Sequence, residues 1–103
     1  MPTNIWKFYL KQNCTDDFVR MNTDAEDRDS WPHLYGRSSD YLGTRIISDV
    51  SNSRIYLTLD IWTSEEAFDR FVRENKTEFD RLDALHEELY ESAEHIGFFE
   101  DDL

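Results

Sequence analysis

One strictly alternating segment that passes directly into a helical pattern constrains the fold of this chain most. Residues 54–63 are RIYLTLDIWT, in which aliphatic side chains occupy every second position. This period of two predicts a β-strand with two chemically different faces. Ser64 then precedes Glu65 and Glu66, a capping hydroxyl followed by an acidic first turn, which predicts that a helix begins here. A strand joined directly to a helix indicates a mixed α+β architecture.

The other segments complete an order of βαββαβ. Strands are predicted at residues 5–11, 41–49, 54–63 and 95–99. A short helix is predicted to start at Thr15, and a long one spans residues 65–91, where apolar residues recur every three or four positions. Residues 31–40 are predicted to form a structured loop with one helical turn after Pro32. The order predicts a ferredoxin-like α+β fold, an antiparallel sheet with both helices on one face.

Length, charge and cysteine content narrow the class of protein. The 103 residues are expected to form a single domain, residues 1–103. The net charge of −12 argues against polyanionic partners, both nucleic acids and anionic membrane surfaces. The single cysteine, Cys14, excludes an internal disulfide and fits a reducing compartment. No apolar run reaches the roughly 20 residues of a membrane span. We therefore expect a cytoplasmic protein with neither nucleic-acid nor membrane partners.

The two faces of the third strand predict which side of the sheet is functional. The aliphatic residues of this strand suit a core covered by helices: Ile55, Leu57, Leu59 and Ile61. The alternate residues would then lie on the open face: Tyr56, Thr58, Asp60 and Trp62. Large aromatic rings beside a carboxylate suit neither bare solvent nor a dry core. The open face is therefore predicted to be a dimer interface or a ligand cavity.

The same parity assigns faces to the first two strands. On the first strand, Phe8 and Leu10 are predicted to face the helices, with Lys7 and Tyr9 on the open face. On the second strand, the residues predicted to face the helices are Leu42, Thr44 and Ile46, and those predicted to lie opposite are Tyr41, Gly43 and Arg45. A slip of one residue would reverse each assignment.

Several segments resemble the antibiotic-biosynthesis-monooxygenase-like domains. Residues 55–72, IYLTLDIWTSEEAFDRFV, are similar to the core motif of that group, a strand ending in Trp-x-Ser and a helix opening with Glu-Ala-Phe. The matching residues are Trp62, Ser64, Glu66, Ala67 and Phe68. Residues 31–49, 78–89 and 95–100 are similar to one uncharacterised branch of the group. The resemblance implies a ferredoxin-like protomer whose open sheet face pairs with a second copy, giving a homodimeric α+β barrel.

The resemblance also implies a range of activities. The group includes cofactor-independent oxygenases of aromatic polyketide phenols and quinols, haem-degrading enzymes, isomerases and proteins without known activity. The cavity of such proteins uses the strand-end tryptophan, a role that falls to Trp62 here. Haem-degrading members add an asparagine on the first strand and a histidine on the second helix. In this chain Asn4 precedes the predicted first strand and Val72 is apolar, so we expect no haem and no other cofactor.

Titratable residues supply further candidates. Asp60, between two aromatic residues, could be a carboxylate of raised pKa that deprotonates a phenol, or it could pair with Arg45 or Lys7. His33 lies in the loop and could act as a mobile acid or base, whereas His86 lies on the apolar stripe of the long helix. The scattered histidines and acids have no metal-ligand spacing.

The sequence favours two functions over a third, protein–protein interaction through the acidic helix faces, which rests on charge alone. The first is a cofactor-independent oxygenase acting on a small aromatic or apolar molecule, and the second is a non-catalytic dimeric binding or stress-related protein. For the oxygenase, the predicted catalytic residues are Trp62, Asp60 and His33. The predicted substrate-binding residues are Tyr9, Arg45, Tyr56, Trp31 and His86.

Overall fold

The computed structural model describes residues 1–101, which form four strands and four helices. In chain order these are β1 (Pro2–Leu10), α1 (Thr15–Thr23), α2 (Trp31–Tyr35), β2 (Tyr41–Ser48), β3 (Ile55–Trp62), α3 (Glu65–Glu74), α4 (Lys76–Glu87) and β4 (Tyr90–Glu100). The strands form one sheet in the order β2-β3-β1-β4, and every neighbouring pair is antiparallel. This arrangement confirms the predicted ferredoxin-like α+β fold.

The predicted second helix is divided, and it ends earlier than expected. Helix α3 stops at Glu74 and α4 starts at Lys76, with Asn75 between them at φ −122° and ψ 31°. The Asn75 side-chain amide donates to the Phe71 carbonyl at 2.9 Å, a local bond that competes with regular helical geometry. Residues 88–91 are not helical, because β4 already begins at Tyr90 and is eleven residues long.

The segment between α1 and β2 contains the single helical turn that its sequence predicts. Helix α2 starts after Ser30, whose hydroxyl accepts a hydrogen bond from the His33 backbone N–H at 3.2 Å. Pro32 lies in the first turn, where its missing N–H would have no helical partner. The turn buries Trp31, Leu34 and Tyr35 against the core.

The predicted orientation of β3 is wrong. Thr58, Asp60 and Trp62 are buried under the helices, and the ring of Tyr56 lies 5.3 Å from that of Phe18 in α1. The pairing with β1 explains the orientation, because directly opposed residues of antiparallel strands share a face. Their register matches Tyr56 with Phe8, Thr58 with Trp6 and Asp60 with Asn4. The aliphatic row Ile55, Leu57, Leu59 and Ile61 therefore lies on the open face of the sheet.

The assignments on β1 are confirmed, and those on β2 are confirmed only in part. Phe8 and Leu10 are buried under the helices, and Lys7 and Tyr9 oppose Leu57 and Ile55 on the open face.

On β2, Thr44 and Ile46 face the helices as predicted, because they oppose Asp60 and Thr58. Arg45 and Gly43 lie on the open face, also as predicted, opposite Leu59 and Ile61. The assignments of Tyr41 and Leu42 are wrong. The register shifts between Tyr41 and Gly43, whose φ of +133° suits glycine, so Tyr41 opposes Trp62 and Leu42 is 47% exposed.

Two clusters of buried apolar side chains lie between the sheet and the helices. The larger one joins Trp31, Leu34 and Tyr35 of α2 to buried side chains of α1, β3, α3 and α4, namely Met21, Trp62, Phe71 and Leu82. The smaller one contains Phe8, Leu10 and Phe18. Within residues 1–101, no helix is both long and apolar enough to cross a membrane.

Candidate active site

A cavity of about 580 Å³ lies between the sheet and the helices. Its walls are largely aromatic, with polar groups from the sheet and from α1, α3 and α4. The lining side chains include Asn4, Trp6, Phe8, Asn22, Trp31, Tyr35, Thr58, Asp60, Phe68, Phe79, His86, Tyr90 and His95. This volume lies within the roughly 300–1,000 Å³ of small-molecule sites, and such sites combine apolar walls with a few polar groups.

Asp60 contributes a buried carboxylate to this cavity. The residue is 8% exposed, and its Oδ1 accepts a hydrogen bond from Thr44 Oγ1 at 2.6 Å. A threonine hydroxyl carries one hydrogen, so the Tyr41 hydroxyl, 2.5 Å from Thr44 Oγ1, must be the donor to Thr44. Burial raises the pKa of Asp60 to about 6, although the Thr44 hydrogen bond favours the ionised form. The carboxylate can therefore exchange a proton near neutral pH.

His86 contributes a buried imidazole. It is 3% exposed, and its ring lies 5.0 to 5.9 Å from those of Phe8, Phe18, Trp31 and Tyr90. Burial lowers the pKa of His86 to about 4, so the ring is neutral at pH 7. Asn22 Nδ2 lies 3.0 Å from His86 Nε2 and 2.8 Å from the Phe18 carbonyl oxygen.

Asn4 and His95 form a second polar pair in the cavity wall. Asn4 is buried, and its Oδ1 lies 2.7 Å from His95 Nε2, while the His95 ring stacks on Trp6 at 4.7 Å. The expectation that Asn4 precedes the first strand is wrong, because β1 begins at Pro2. Asn4 is separated from Phe8 and Leu10 by an even number of residues, so an extended strand places all three side chains on the same face. That spacing is the sequence signal that could have placed Asn4 under the helices.

Three of the eight predicted site residues line the cavity, namely Asp60, Trp31 and His86. Trp62 is fully buried but does not border the cavity, since its ring packs against the rings of Tyr35, Tyr41, Phe68 and Phe71. Its Nε1 is the one buried side-chain polar atom without a hydrogen-bond partner within residues 1–101.

The four other predicted site residues lie outside the cavity. Tyr56 packs against Phe18, and His33 is exposed, with its Nδ1 3.0 Å from the Ala25 carbonyl oxygen. Tyr9 and Arg45 lie on the open face of the sheet.

The alternative that Asp60 pairs with Arg45 or Lys7 is also wrong, because those cations lie on the opposite face of the sheet. The described residues contain no group of three His, Cys, Asp or Glu side chains placed to hold a metal ion.

No protein-family description matches this chain, and no curated protein matches it in sequence. Solved structures do match it. SnoaB, a cofactor-independent oxygenase from Streptomyces nogalater, superposes with a TM-score of 0.73 over 99% of this chain and 93% of its own, at 17% identity. The chain has the fold of the antibiotic biosynthesis monooxygenases. A protein of that name matches over the whole of both chains with a TM-score of 0.66 and 13% identity.

The fold also occurs in a conserved protein from Methanosarcina mazei, which covers 98% of this chain and 92% of its own with a TM-score of 0.69 and 14% identity. At such low identities the similarity establishes the fold alone, since one fold can carry many activities.

Proposed function

We propose that this protein is a cofactor-independent oxygenase that oxidises a small aromatic molecule in the cavity between its sheet and its helices. The observation that carries the proposal is the Asp60 carboxylate, which is buried at an aromatic-lined cavity with a pKa of about 6. A general base works best when its pKa is close to the working pH. SnoaB, which has the same fold, is described as a cofactor-independent oxygenase.

The proposed reaction uses the electrons of the substrate itself. Asp60 removes a proton from an acidic C–H group that an aromatic ring system activates, leaving a carbanion. The carbanion adds to O₂ by electron transfer and recombination, and the resulting peroxide takes up a proton and loses water. A methylene group and O₂ thereby become a ketone and water, so atoms and electrons balance. The aromatic walls stack on the ring system and exclude water from the anion.

Oxygen uptake with a panel of quinols, phenols and activated aromatic ketones tests the proposal. General-base catalysis typically supplies about 10²–10⁴-fold in rate, so Asp60→Asn should reduce uptake by at least about 100-fold. Asp16→Asn, at an exposed carboxylate in the first turn of α1, is the control and should keep full activity. Uptake that is flat for the wild type across the panel would contradict the proposal, as would unchanged uptake in Asp60→Asn.

A non-catalytic binding protein is the second candidate. The observation that favours it is the position of Trp62, which the resemblance assigns to the chemistry but which does not border the cavity. The cavity has room for a small molecule whether the protein is an oxygenase or a binding protein. Aromatic ligands that bind without any oxygen uptake would support the binding protein over the enzyme.

We also propose that the open face of the sheet pairs with a second copy of the chain. The support is the aliphatic row of β3, which the helices leave uncovered, flanked by the half-exposed Ile47 and Phe99. A sheet face of this composition is poorly suited to water. The pairing would build the α+β barrel that the sequence resemblance implies.

A further inference from the structure

The side chain of Asn22 determines which nitrogen of His86 carries the ring proton. Asn22 Nδ2 lies 2.8 Å from the Phe18 carbonyl oxygen. A carbonyl oxygen only accepts hydrogen bonds, so the nitrogen end of the amide must face it. This contact fixes the orientation of the amide, and the same nitrogen lies 3.0 Å from His86 Nε2.

The second hydrogen of that amide nitrogen then points at His86. An amide nitrogen donates two hydrogen bonds and accepts none, so Nε2 of His86 must be the acceptor and carries no hydrogen. In a neutral imidazole the proton must therefore be on Nδ1. A protonated ring would place two donors face to face, which agrees with the lowered pKa of His86.

The Nδ1–H group of His86 has no hydrogen-bond partner among residues 1–101. Nδ1 is nevertheless not fully buried, since Trp62 Nε1 is the one fully buried side-chain polar atom without a partner there. His86 borders the cavity, so this N–H remains accessible from it. A donor that opens onto the cavity can bond an oxygen of a ligand held there.

We propose that the Nδ1–H of His86 donates a hydrogen bond to a carbonyl or phenolate oxygen of the aromatic ligand, and that Asn22 is the positioning residue that fixes this tautomer. The inference rests on the proposed aromatic ligand but not on its oxidation. The Asp60 carboxylate borders the same cavity. The site would therefore take an aromatic ketone or phenol whose oxygen accepts a hydrogen bond from His86 and which releases a proton to Asp60.

Nitrogen-15 NMR of the histidine rings in the full chain at pH 7 tests the tautomer. The wild type should show the hydrogen of His86 on Nδ1. Asn22→Asp presents a carboxylate to Nε2 and should move the hydrogen to that nitrogen. The matched control is Asn75→Asp, because Asn75 donates the same type of bond to the Phe71 carbonyl but has no histidine partner. A wild-type ring protonated on Nε2, or a tautomer unchanged in Asn22→Asp, would overturn the inference.

A pair of probes tests the ligand contact. 1-Tetralone carries a ring carbonyl that tetralin lacks, and the two molecules are otherwise alike in shape. Replacing His86 by phenylalanine keeps a ring in the wall and should weaken binding of 1-tetralone about tenfold, the usual scale for one hydrogen bond, with tetralin unaffected. Equal losses for both probes, or no binding of 1-tetralone at millimolar concentration, would refute the contact.

These readouts are independent of catalysis. The predicted tautomer together with an absence of oxygen uptake would count against the oxygenase alone. Oxygen uptake in a protein whose His86 is protonated on Nε2 would count against this inference alone.

Discussion

Asp60 and His86 border the same cavity, and burial shifts their pKa values in opposite directions. The pKa of Asp60 rises from 3.8 to about 6, so the folded protein holds a proton there more tightly than the unfolded chain. The pKa of His86 falls from 6.5 to about 4, so the folded protein resists protonation there. As pH falls from about 6 to about 4, Asp60 increases the free energy of unfolding and His86 decreases it. The two contributions therefore oppose each other over this pH range.

Single substitutions should therefore reveal each contribution. A shift of about two pKa units corresponds to about 3 kcal/mol at most, so Asp60→Asn should stabilise the protein by about 1–3 kcal/mol at pH 7 and by almost nothing at pH 4. His86→Phe should show the opposite trend, gaining about 1–3 kcal/mol relative to the wild type as pH falls from about 6.5 to about 4. Urea unfolding across this pH range measures both. Difference curves that are flat with pH would contradict the prediction.

Trp62 is predicted from the sequence to be a catalytic residue, but in the structure it packs in the core among other aromatic rings. We expect Trp62→Phe to fold and to lose only about 1–2 kcal/mol, because the smaller ring leaves a void but also removes the unpaired Nε1–H. The neighbouring Phe71→Ala, which removes a buried ring without such compensation, should lose about 3–5 kcal/mol. Thermal unfolding of both variants gives the comparison, and equal losses would show that the unpaired N–H costs little.

The sequence permits some of these residue-level features to be predicted. The raised pKa of Asp60 follows from a carboxylate set between aromatic residues on a strand. Of the two roles considered for Asp60, the ion pair is wrong and the role as a base stays a prediction. Its actual partner, Thr44, depends on the register of β2 against β3, which no local pattern specifies. The spacing of the first helix places Asn22 on its weak apolar stripe with Phe18, but the contact with His86 joins two helices far apart in the chain, and no local pattern predicts it.

At the scale of elements, the junction of β3 and α3 is the best predicted part of the chain. The Ser64 hydroxyl accepts a hydrogen bond from the Ala67 backbone N–H at 3.0 Å, and Glu65 and Glu66 lie in the first turn, as the sequence indicates. We expect Ser64→Ala to reduce the free energy of unfolding by about 1 kcal/mol. Ser53→Ala, at an exposed loop position, is the control and should change it by less than about 0.5 kcal/mol. Similar losses in both variants would argue against the cap.

Two elements departed from prediction for different reasons. The apolar stripe of the long helix continues through both α3 and α4, so periodicity alone could not detect the break that Asn75 introduces. On β3 the alternation was correct, but assigning the aliphatic row to the core assumed that the core is dry. The helix-covered face instead encloses a cavity, and an aromatic and polar wall suits a cavity better than an aliphatic one does.

At the scale of the whole molecule, the corrected orientation of β3 strengthens the case for a homodimer. The open face carries a row of four aliphatic side chains in place of the mixed aromatic and acidic surface that the sequence suggested. The net charge of −12 opposes close association of two copies in general, so a stable pair needs a large apolar contact to offset the repulsion. The uncovered face of the sheet is the surface that can supply one.

A charge placed in that row should separate the two copies. Leu57 lies at the centre of β3 opposite Lys7, and burying an aspartate there against a second chain would cost several kcal/mol. We expect the wild type to sediment at twice its 12.4 kDa chain mass at micromolar concentration, and Leu57→Asp to sediment as a single chain with its circular dichroism unchanged. Leu85→Asp, at a partly exposed leucine on α4, is the matched control and should stay paired. A wild type that remains a 12.4 kDa species would remove the homodimer, and dissociation by Leu85→Asp would move the interface to the helices.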